Sequence, residues 1–553
     1  MPSFVLVSEQ HADYLLDEFG RYIRDDELHT ARSCVEAVAV AVAVTEQIIA
    51  DGGTVALFVA DSQLPDEPVL VAFGRWRAVA PNARRMIAAH WEHFLRDAPG
   101  LRTGMAKGTY DAYLLMPRGV RDEEFHHAVT DLLSDWGSAV ADPESVATMI
   151  ISPVQDTLTL AIRDFLDRMG MPNRVYDPES EAGLAVRALL PADSTYPLVH
   201  ALNKAPVQAR SVRDVATAAF DTPGKLNVSG TMDVAVVGGG PAGLAAAGYA
   251  ASEGLSVAVL EAEAIGGQAG TSSMLRNYLG FPRGISGMRL AQRARSQALR
   301  FGAECCTGWE VTRLETGAPG EPHVVHADGG TVSAHTIVVA YRKLRVEPLE
   351  ELVGLGVHYG AALTAAREME DADVYVVGGG NSAGQAAVHL SRFAASVTIL
   401  VRRPTLAETM SAYLVGEIEH HPRITVRTGT QVVDGGGEGR LQWLCLEDTD
   451  TGARTRHEAQ GLFLLLGAEP HCEWLPPVVA RDDQGFVLTG RDVPGKQRAD
   501  GLPPASLATT APGVFAVGDI RSGSMKRVAA ASGEGASVVP LVHAYLAPVE
   551  VPT

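Results

Sequence analysis

Asp233-Val234-Ala235-Val236-Val237-Gly238-Gly239-Gly240-Pro241-Ala242-Gly243 is the stretch on which the fold is decided. A short apolar strand runs without a break into spaced glycines, and an alanine-rich helical segment follows. The first glycine of such a turn permits the tight reversal, and the second lets the backbone approach a pyrophosphate. The third lets the helix pack close to the strand. The helix then presents free N–H groups and its positive dipole end to the phosphates. A second strand, Ser256 to Leu260, ends at Glu261, whose carboxylate can accept from a ribose hydroxyl. Strand, turn, helix and distal acid together specify a Rossmann-type dinucleotide fold.

The pattern occurs twice. Asp373 to Val377 is another strand, ending in Gly378-Gly379-Gly380-Asn381-Ser382-Ala383. Alanine replaces the third glycine, which still allows close helix packing. The paired strand, Ser396 to Val401, ends in Arg402-Arg403 rather than in an acid. A carboxylate there would favour NADH, whereas guanidinium groups complement a 2′-phosphate. The second ligand is therefore read as NADPH, with Gly378, Gly380, Asn381, Ser382, Ala383, Arg402 and Arg403 as its candidate contacts.

Three further blocks stand out. Gly266-Gly267-Gln268 follows the acid of the first site, and Asn277-Tyr278-Leu279-Gly280-Phe281-Pro282 comes shortly after. Near the C-terminus, Pro512-Gly513-Val514-Phe515-Ala516-Val517-Gly518-Asp519 is a strand ending in an aspartate, and Lys526-Arg527-Val528-Ala529 opens the last helical region. From Asp233 to Leu546 the chain resembles the low-molecular-weight thioredoxin reductases. The resemblance implies FAD in the first site, held by Gly238, Gly240, Pro241, Ala242, Gly243, Glu261, Gly267, Gln268, Asn277, Asp519, Lys526, Arg527 and Val528. It implies a nested order, with FAD-binding parts at 233–347 and 468–553 around an NADPH-binding domain at 348–467. It also implies domain rotation during turnover and a homodimer. One departure lies where the FAD domain hands over to its partner: that family's Ala-Thr-Gly step is replaced by Ala340-Tyr341-Arg342-Lys343.

A larger departure concerns sulfur. Thioredoxin reductases carry a Tyr-Cys-Ala-x-Cys-Asp stretch early in the NADPH domain. Here the matching residues are Tyr359-Gly360-Ala361-Ala362-Leu363-Thr364. No thiol can attack a disulfide from this position. Of the five cysteines, Cys305 and Cys306 are adjacent in a probable strand that points them to opposite faces, and Cys34, Cys445 and Cys472 are isolated. His358, Tyr359 and Thr364 are the nearby residues able to donate or relay a proton. The expected function is an NADPH-dependent FAD oxidoreductase acting on a non-disulfide acceptor: a small organic metabolite, a protein electron carrier or O₂. The thioredoxin-reductase-like ferredoxin reductases also lack the cysteine pair, which keeps an electron-transfer role open. The alternative is a flavin-loaded redox sensor or assembly protein without steady turnover.

The first 220 residues read differently. Strand candidates Phe4–Val7, Leu28–Ala31, Val55–Val59 and Ala112–Met116 alternate with helical patterns, hence a parallel α/β sheet. The Val/Ala run from Val35 to Val44 alternates like a strand, but its length and alanine content suit a helix. Residues 1–135 resemble a flavodoxin-like response-regulator receiver domain, with Asp61 where such a domain carries its phosphoacceptor. The acidic pair and the lysine of that site read Ser8-Glu9 and Met116-Pro117, so phosphoryl transfer would lack charge stabilisation. Residues 146–220 resemble a thioredoxin-like fold with Pro197 at the family's cis-proline, yet its redox motif reads Ser152-Pro153-Val154-Gln155. Residues 221–232 read as a linker.

Across 553 residues, 46 Lys plus Arg against 66 Asp plus Glu leave a net charge of −20. An acidic surface repels phosphate backbones and anionic lipid, so neither nucleic acid nor membrane is expected as a partner. No signal peptide or membrane span is recognised, few thiols suit a reducing compartment, and a cytoplasmic location is expected. No metal site is expected.

Overall fold

The computed structural model describes residues 2–24, 27–51, 54–106, 108–119, 122–140, 146–220, 230–318, 320–328, 330–340, 349, 352–359, 365–366, 368–465, 470, 472–498 and 501–547. The N-terminal module runs β1 (Pro2–Val7), α1 (Ala12–Phe19), β2 (Leu28–Ala31), α2 (Cys34–Asp51), β3 (Thr54–Ala60), α3 (Val69–Val79), β4 (Arg84–Ala89), α4 (Trp91–Ala106), β5 (Ala112–Leu115) and α5 (Glu123–Val140). Its sheet is parallel in the order β2-β1-β3-β4-β5, a doubly wound arrangement. Alternation splits each strand between two cores: Phe4 and Leu6 face one layer of helices, Val5 and Val7 the other. The Val/Ala run is helical, as its length suggests. Asp66 accepts from the amides of Cys34 and Val35 at 3.0 Å each and so caps the first turn of α2. The first helix stops at Phe19, where Gly20 follows and glycine is a poor helix former.

The next module comprises β6 (Thr148–Ile151), α6 (Thr157–Arg168), β7 (Asn173–Tyr176), α7 (Glu181–Arg187), β8 (Leu198–Ala201), β9 (Val207–Gln208) and α8 (Val212–Phe220). Its strand order is β7-β6-β8-β9, with β6 parallel to β7 and antiparallel to β8. The Tyr196–Pro197 peptide is cis. Asp156 caps α6 through the Thr159 amide at 2.8 Å.

The chain continues with β10 (Thr231–Val237), α9 (Pro241–Ser252), β11 (Val257–Glu261), α10 (Gly267–Gly270), α11 (Gly287–Arg300), β12 (Glu304–Thr307), β13 (Val311–Glu315), β14 (His323–Ala327) and β15 (Gly330–Val339). Strands β12-β11-β10-β15 are parallel, and β14 and β13 extend the sheet antiparallel. Cys305 and Cys306 do face opposite sides of β12, one against each core.

Then come β16 (Val357–Tyr359), β17 (Asp373–Val377), α12 (Asn381–Leu390), β18 (Ser396–Leu400), α13 (Ala412–Glu419), β19 (Ile424–Arg427), β20 (Thr430–Gly436), β21 (Trp443–Asp448), β22 (Arg454–Glu458), β23 (Gly461–Leu464), β24 (Val514–Ala516), α14 (Val528–Ser537) and α15 (Val539–Leu546). Strands β16 and β17 flank β23 in parallel, β18 pairs in parallel with β19, and β20-β21-β22 form an antiparallel meander. Strand β24 returns to pair with β15, so the first dinucleotide domain is built from both ends of the reductase-like region.

The chain forms two compact units, residues 1–142 with 379–428 and residues 143–378 with 429–553. The segment expected as one domain at 348–467 is thus divided, and its part 379–428 groups with the N-terminal module. Within that unit the turn at Gly108 lies against the buried Glu417 of α13. No helix among the described residues is long and apolar enough to cross a membrane.

In the larger unit, Ile150, Ile162, Phe165 and Leu166 of the 146–220 module share one core with Leu244, Ala264, Ile265 and Ala291. The Phe165 ring is 2% exposed in that joint. Truncation, Phe165→Ala, is expected to cost about 3–5 kcal/mol of unfolding free energy. Denaturant titration followed by far-UV circular dichroism measures it, and a loss below about 1 kcal/mol would show that the joint is not a shared core.

Candidate dinucleotide sites

The first glycine turn is built by exclusion. Gly238 sits at φ +110°, and its amide donates to Leu260 O at 2.8 Å. A Cβ on Gly243 would stand 1.9 Å from Gly238 O, so only glycine permits α9 to start this close to β10. Outward, the opposite holds. A Cβ on Gly240 would meet nothing within 4 Å, and no side chain caps the helix that Gly240 opens. A tight inner wall, an open outer face and uncapped N–H groups fit a pyrophosphate.

Glu261 is the last residue of β11 and is 4% exposed. Its Oε2 accepts from the Gly239 amide at 2.7 Å and its Oε1 from the Glu263 amide at 3.0 Å. Burial raises its pKa against these two bonds. Each oxygen keeps a second lone pair for a ribose hydroxyl. Gly267 lies beside Gly240, with a Cβ there 3.3 Å from the Gly240 Cα, and Gln268 follows it on the short α10.

The C-terminal half closes the same site. Gly518, at φ +73°, would place a Cβ 2.8 Å from Ala242, and Gly535 of α14 would place one 2.1 Å from Ala242 O. Asp519 sits in a 3₁₀ turn just after the Val514–Ala516 strand, and Arg527 precedes α14, whose first amides, beginning with Val528, no side chain caps. Asn277 is exposed, and its neighbour Tyr278 reaches Ser532 of α14 at 3.4 Å. The Lys526 ammonium donates to Asp519 O at 2.6 Å and to Ser524 Oγ at 2.8 Å, and it lies 4.4 Å from the Phe486 ring centre. It therefore braces the aspartate turn.

Two supports were not legible in the sequence. Glu534 accepts from the Gly518 amide at 2.7 Å and binds Arg521 at 2.5 Å. Arg168, from the 146–220 module, donates to Ala264 O at 3.0 Å and Gly267 O at 3.1 Å. Nothing local marks either residue, because each acts across more than ten positions of chain.

At the second turn, Gly378 has φ +141°, and Gly380 opens α12 without a side-chain cap. Ser382 and Ala383 lie in its first turn. Asn381 Oδ1 accepts from the Ser411 amide at 2.7 Å, so this side chain holds a neighbouring loop. Arg402 and Arg403 are both exposed after β18, and Arg403 pairs with Glu408 at 3.0 Å.

The expected proton donors divide. His358 stacks on Phe463 at 4.9 Å, its Nε2 is shielded without a partner, and burial pushes its pKa down to about 4. The ring is neutral at pH 7. Tyr359 is its half-buried neighbour on β16. Thr364, the stretch 360–364 and the residues Tyr341 to Lys343 lie outside the described residues.

Asp61 directly follows β3. Ser8 Oγ donates to its Oδ2 at 3.1 Å, and His11 Nδ1 lies 3.2 Å from the same oxygen. His11 stacks on His90 at 4.6 Å, so imidazoles crowd the carboxylate where a receiver has acids and a metal.

Two glycine turns, each at a strand end and each followed by an uncapped helix, define a two-dinucleotide oxidoreductase architecture. The chain belongs to the pyridine nucleotide-disulphide oxidoreductase family, whose model matches residues 232–535. A bifunctional thioredoxin reductase/thioredoxin of Mycobacterium leprae is 34% identical over 319 residues, covering 57% of this chain and 66% of that protein. The chain thus spans just under two thirds of that two-part relative. A thioredoxin reductase of Mycolicibacterium smegmatis is 33% identical, covering 55% of this chain and 93% of the relative. The crystal structure of Lactococcus lactis thioredoxin reductase superposes with a TM-score of 0.50 at 26% identity, covering 57% of this chain and 99% of that one. Thioredoxin reductase-like relatives use FAD and NADPH, and both turns fit those groups.

Arg168→Met removes both donors to the 264–267 loop. It is expected to weaken FAD retention about tenfold, read from flavin fluorescence released on dilution. An unchanged FAD affinity would assign Arg168 to packing alone.

The His358 shift has a defined sign. As pH falls, unfolded His358 protonates near 6.5, whereas folded His358 waits until about 4. Between those values the unfolded state binds more protons and stability falls; above them this residue adds no pH dependence. The loss approaches roughly 3 kcal/mol near pH 4. His358→Phe is expected to flatten that acid limb in urea titrations between the two pH limits. A limb of unchanged slope would place the proton elsewhere.

Proposed function

We propose that the chain is an FAD-dependent NADPH oxidoreductase of thioredoxin reductase architecture whose electrons leave to an acceptor other than a disulfide. The carrying observation is the state of its sulfur. Gly360 and Leu363 stand where the resemblance places a cysteine pair. All five cysteines are free thiols. Burial pushes Cys305 up to about 11 and Cys34, Cys306 and Cys472 up to about 12. A thiol attacks a disulfide as thiolate, and these four are protonated at neutral pH. Cys445 sits alone on the β20–β22 meander.

Bound in the two sites, a reduced nicotinamide and a flavin would together supply two-electron redox chemistry. The chain's own part is positional. Gly240 and the open end of α9 hold the pyrophosphate, Glu261 the ribose, and Asp519 with the first amides of α14 the flavin end. Gly380 and Arg402 favour a 2′-phosphorylated nicotinamide partner. Small, apolar residues in place of the dithiol suit a small organic acceptor, a protein electron carrier or O₂. The M. leprae and M. smegmatis relatives are named thioredoxin reductases, so disulfide reduction is the competing outcome.

Anaerobic stopped-flow with NADPH is expected to bleach the flavin absorbance. Steady NADPH oxidation is then expected with a quinone or ferricyanide but not with oxidised thioredoxin plus insulin. Insulin reduction at a rate matching the quinone would sink the non-disulfide reading. Tight NADPH binding without bleaching would support the sensor alternative instead.

A further inference from the structure

The antiparallel meander β20–β22 borders a cavity of about 700 Å³, within the range of sites for small organic molecules. Its wall is set by strand register. Trp443 pairs with Glu458, and Cys445 with Arg456, across β21 and β22. Side chains two apart on a strand share a face, so Trp443, Glu458 and Arg456 stand on one side of the sheet. The Arg456 guanidinium lies 4.0 Å from the centre of the Trp443 ring, close enough for cation–π attraction. Arg440 joins the wall from the turn between β20 and β21. That turn is tight: a Cβ on Gly437 would stand 2.0 Å from Arg440 O, and Gly439 has φ +71°. Leu441 is fully buried and its amide donates to Leu355 O at 2.7 Å, which anchors the turn. Gln460, also on the wall, accepts from the Asp373 amide at 2.8 Å through its Oε1. Its side-chain NH₂ is left to donate.

Arg440 and Arg456 are exposed, and among the described residues neither makes an ion pair or a side-chain hydrogen bond. Arg440 acts on Glu368 only through its field, and that carboxylate sits 3.9 Å from Arg163. The wall thus sets two guanidinium groups against one carboxylate, Glu458. A guanidinium held over an indole offers its outer side to a second flat ring, and a guanidinium fork takes an oxyanion through paired N–H groups. We propose that the cavity binds a planar aromatic molecule carrying a carboxylate or comparable oxyanion. Its ring stacks on Arg456 over Trp443, and Arg440 and Gln460 take its anion. The site is distinct from the second glycine turn. Gln460 bonds Asp373 at the start of β17, whereas Gly378 follows the end of that strand, about 16 Å further along. The inference holds whichever acceptor takes electrons from the flavin.

Calorimetric titration of the FAD-loaded full-length protein, saturated with NADP⁺, takes 2-naphthoate as the probe. Saturable binding of 2-naphthoate is expected. Neutral 2-naphthol keeps the rings and cyclohexanecarboxylate keeps the charge; each is expected to bind about tenfold more weakly. Arg440→Gln/Arg456→Gln is expected to lose about tenfold in 2-naphthoate affinity, as is Trp443→Leu. Both arginines are exposed, so the double variant is expected to keep the far-UV circular dichroism of the parent. Should Trp443→Leu not fold, the comparison of the three ligands on the unaltered protein tests the aromatic requirement. No saturable binding, equal affinity for the three ligands, or a 2-naphthoate affinity unchanged in Arg440→Gln/Arg456→Gln overturns the proposal. Flavin absorbance is followed in the same titrations. A spectrum perturbed by 2-naphthoate alike in parent and double variant places the probe at the isoalloxazine and likewise overturns it.

Discussion

Between the carbonyl oxygen of Gly238 and the backbone of Gly243 there is no room for a methyl group; a Cβ would approach to 1.9 Å. That one close approach lets α9 begin directly over the end of β10 with its first amides uncovered. The Gly239 amide then finds Glu261, the Gly239 carbonyl finds the Gly266 amide at 2.8 Å, and Gly518 and Gly535 close on Ala242 from the far end of the chain. A larger residue at 243 would push the helix outward, and the C-terminal strand and helix would lose the surface they dock on. The pocket for the first dinucleotide is the space this packing leaves.

Helix starts show the same economy in reverse. Where no ligand is expected, α6, α7 and α11 are capped by Asp156, Ser180 and Ser286. At Gly240, Gly380 and Arg527, on the contrary, no side chain satisfies the first amides. Some other helices, such as α1 and α3, also lack caps but follow no glycine turn. It is the pairing of an uncapped start with a turn of glycines that leaves donors aimed at an anion.

Both turns, Glu261 and the opposite facing of Cys305 and Cys306 were legible because each rests on short-range pattern: glycine spacing, strand period, an acid at strand length. What escaped is long-range. Arg84 and Arg85 begin β4 and hide a strand from hydropathy, since their burial depends on Asp111, 26 residues away for Arg85. The 379–428 segment groups with the first 142 residues, where Glu417 meets a turn at Gly108, and no periodicity announces that contact.

The 146–220 module is held to the first dinucleotide domain by packing and by hydrogen bonds. A mobile redox module needs a polar, separable surface, because exposing apolar area on each excursion costs roughly 25 cal/mol per Å². This module instead buries Ile162, Phe165 and Leu166 against Leu244, Ile265 and Ala291, and Arg168 bonds the loop that carries Gly267. Gln292 of α11 returns the contact, donating to the carbonyls of Asp167 and Arg168 at 3.4 and 3.3 Å. Its loop after β6 is occupied with itself: Ser152 donates to Val154 O at 2.6 Å and accepts from Thr159 at 3.3 Å. An element joined by a core and by hydrogen bonds on both sides of the FAD loop behaves as part of the cofactor-binding wall.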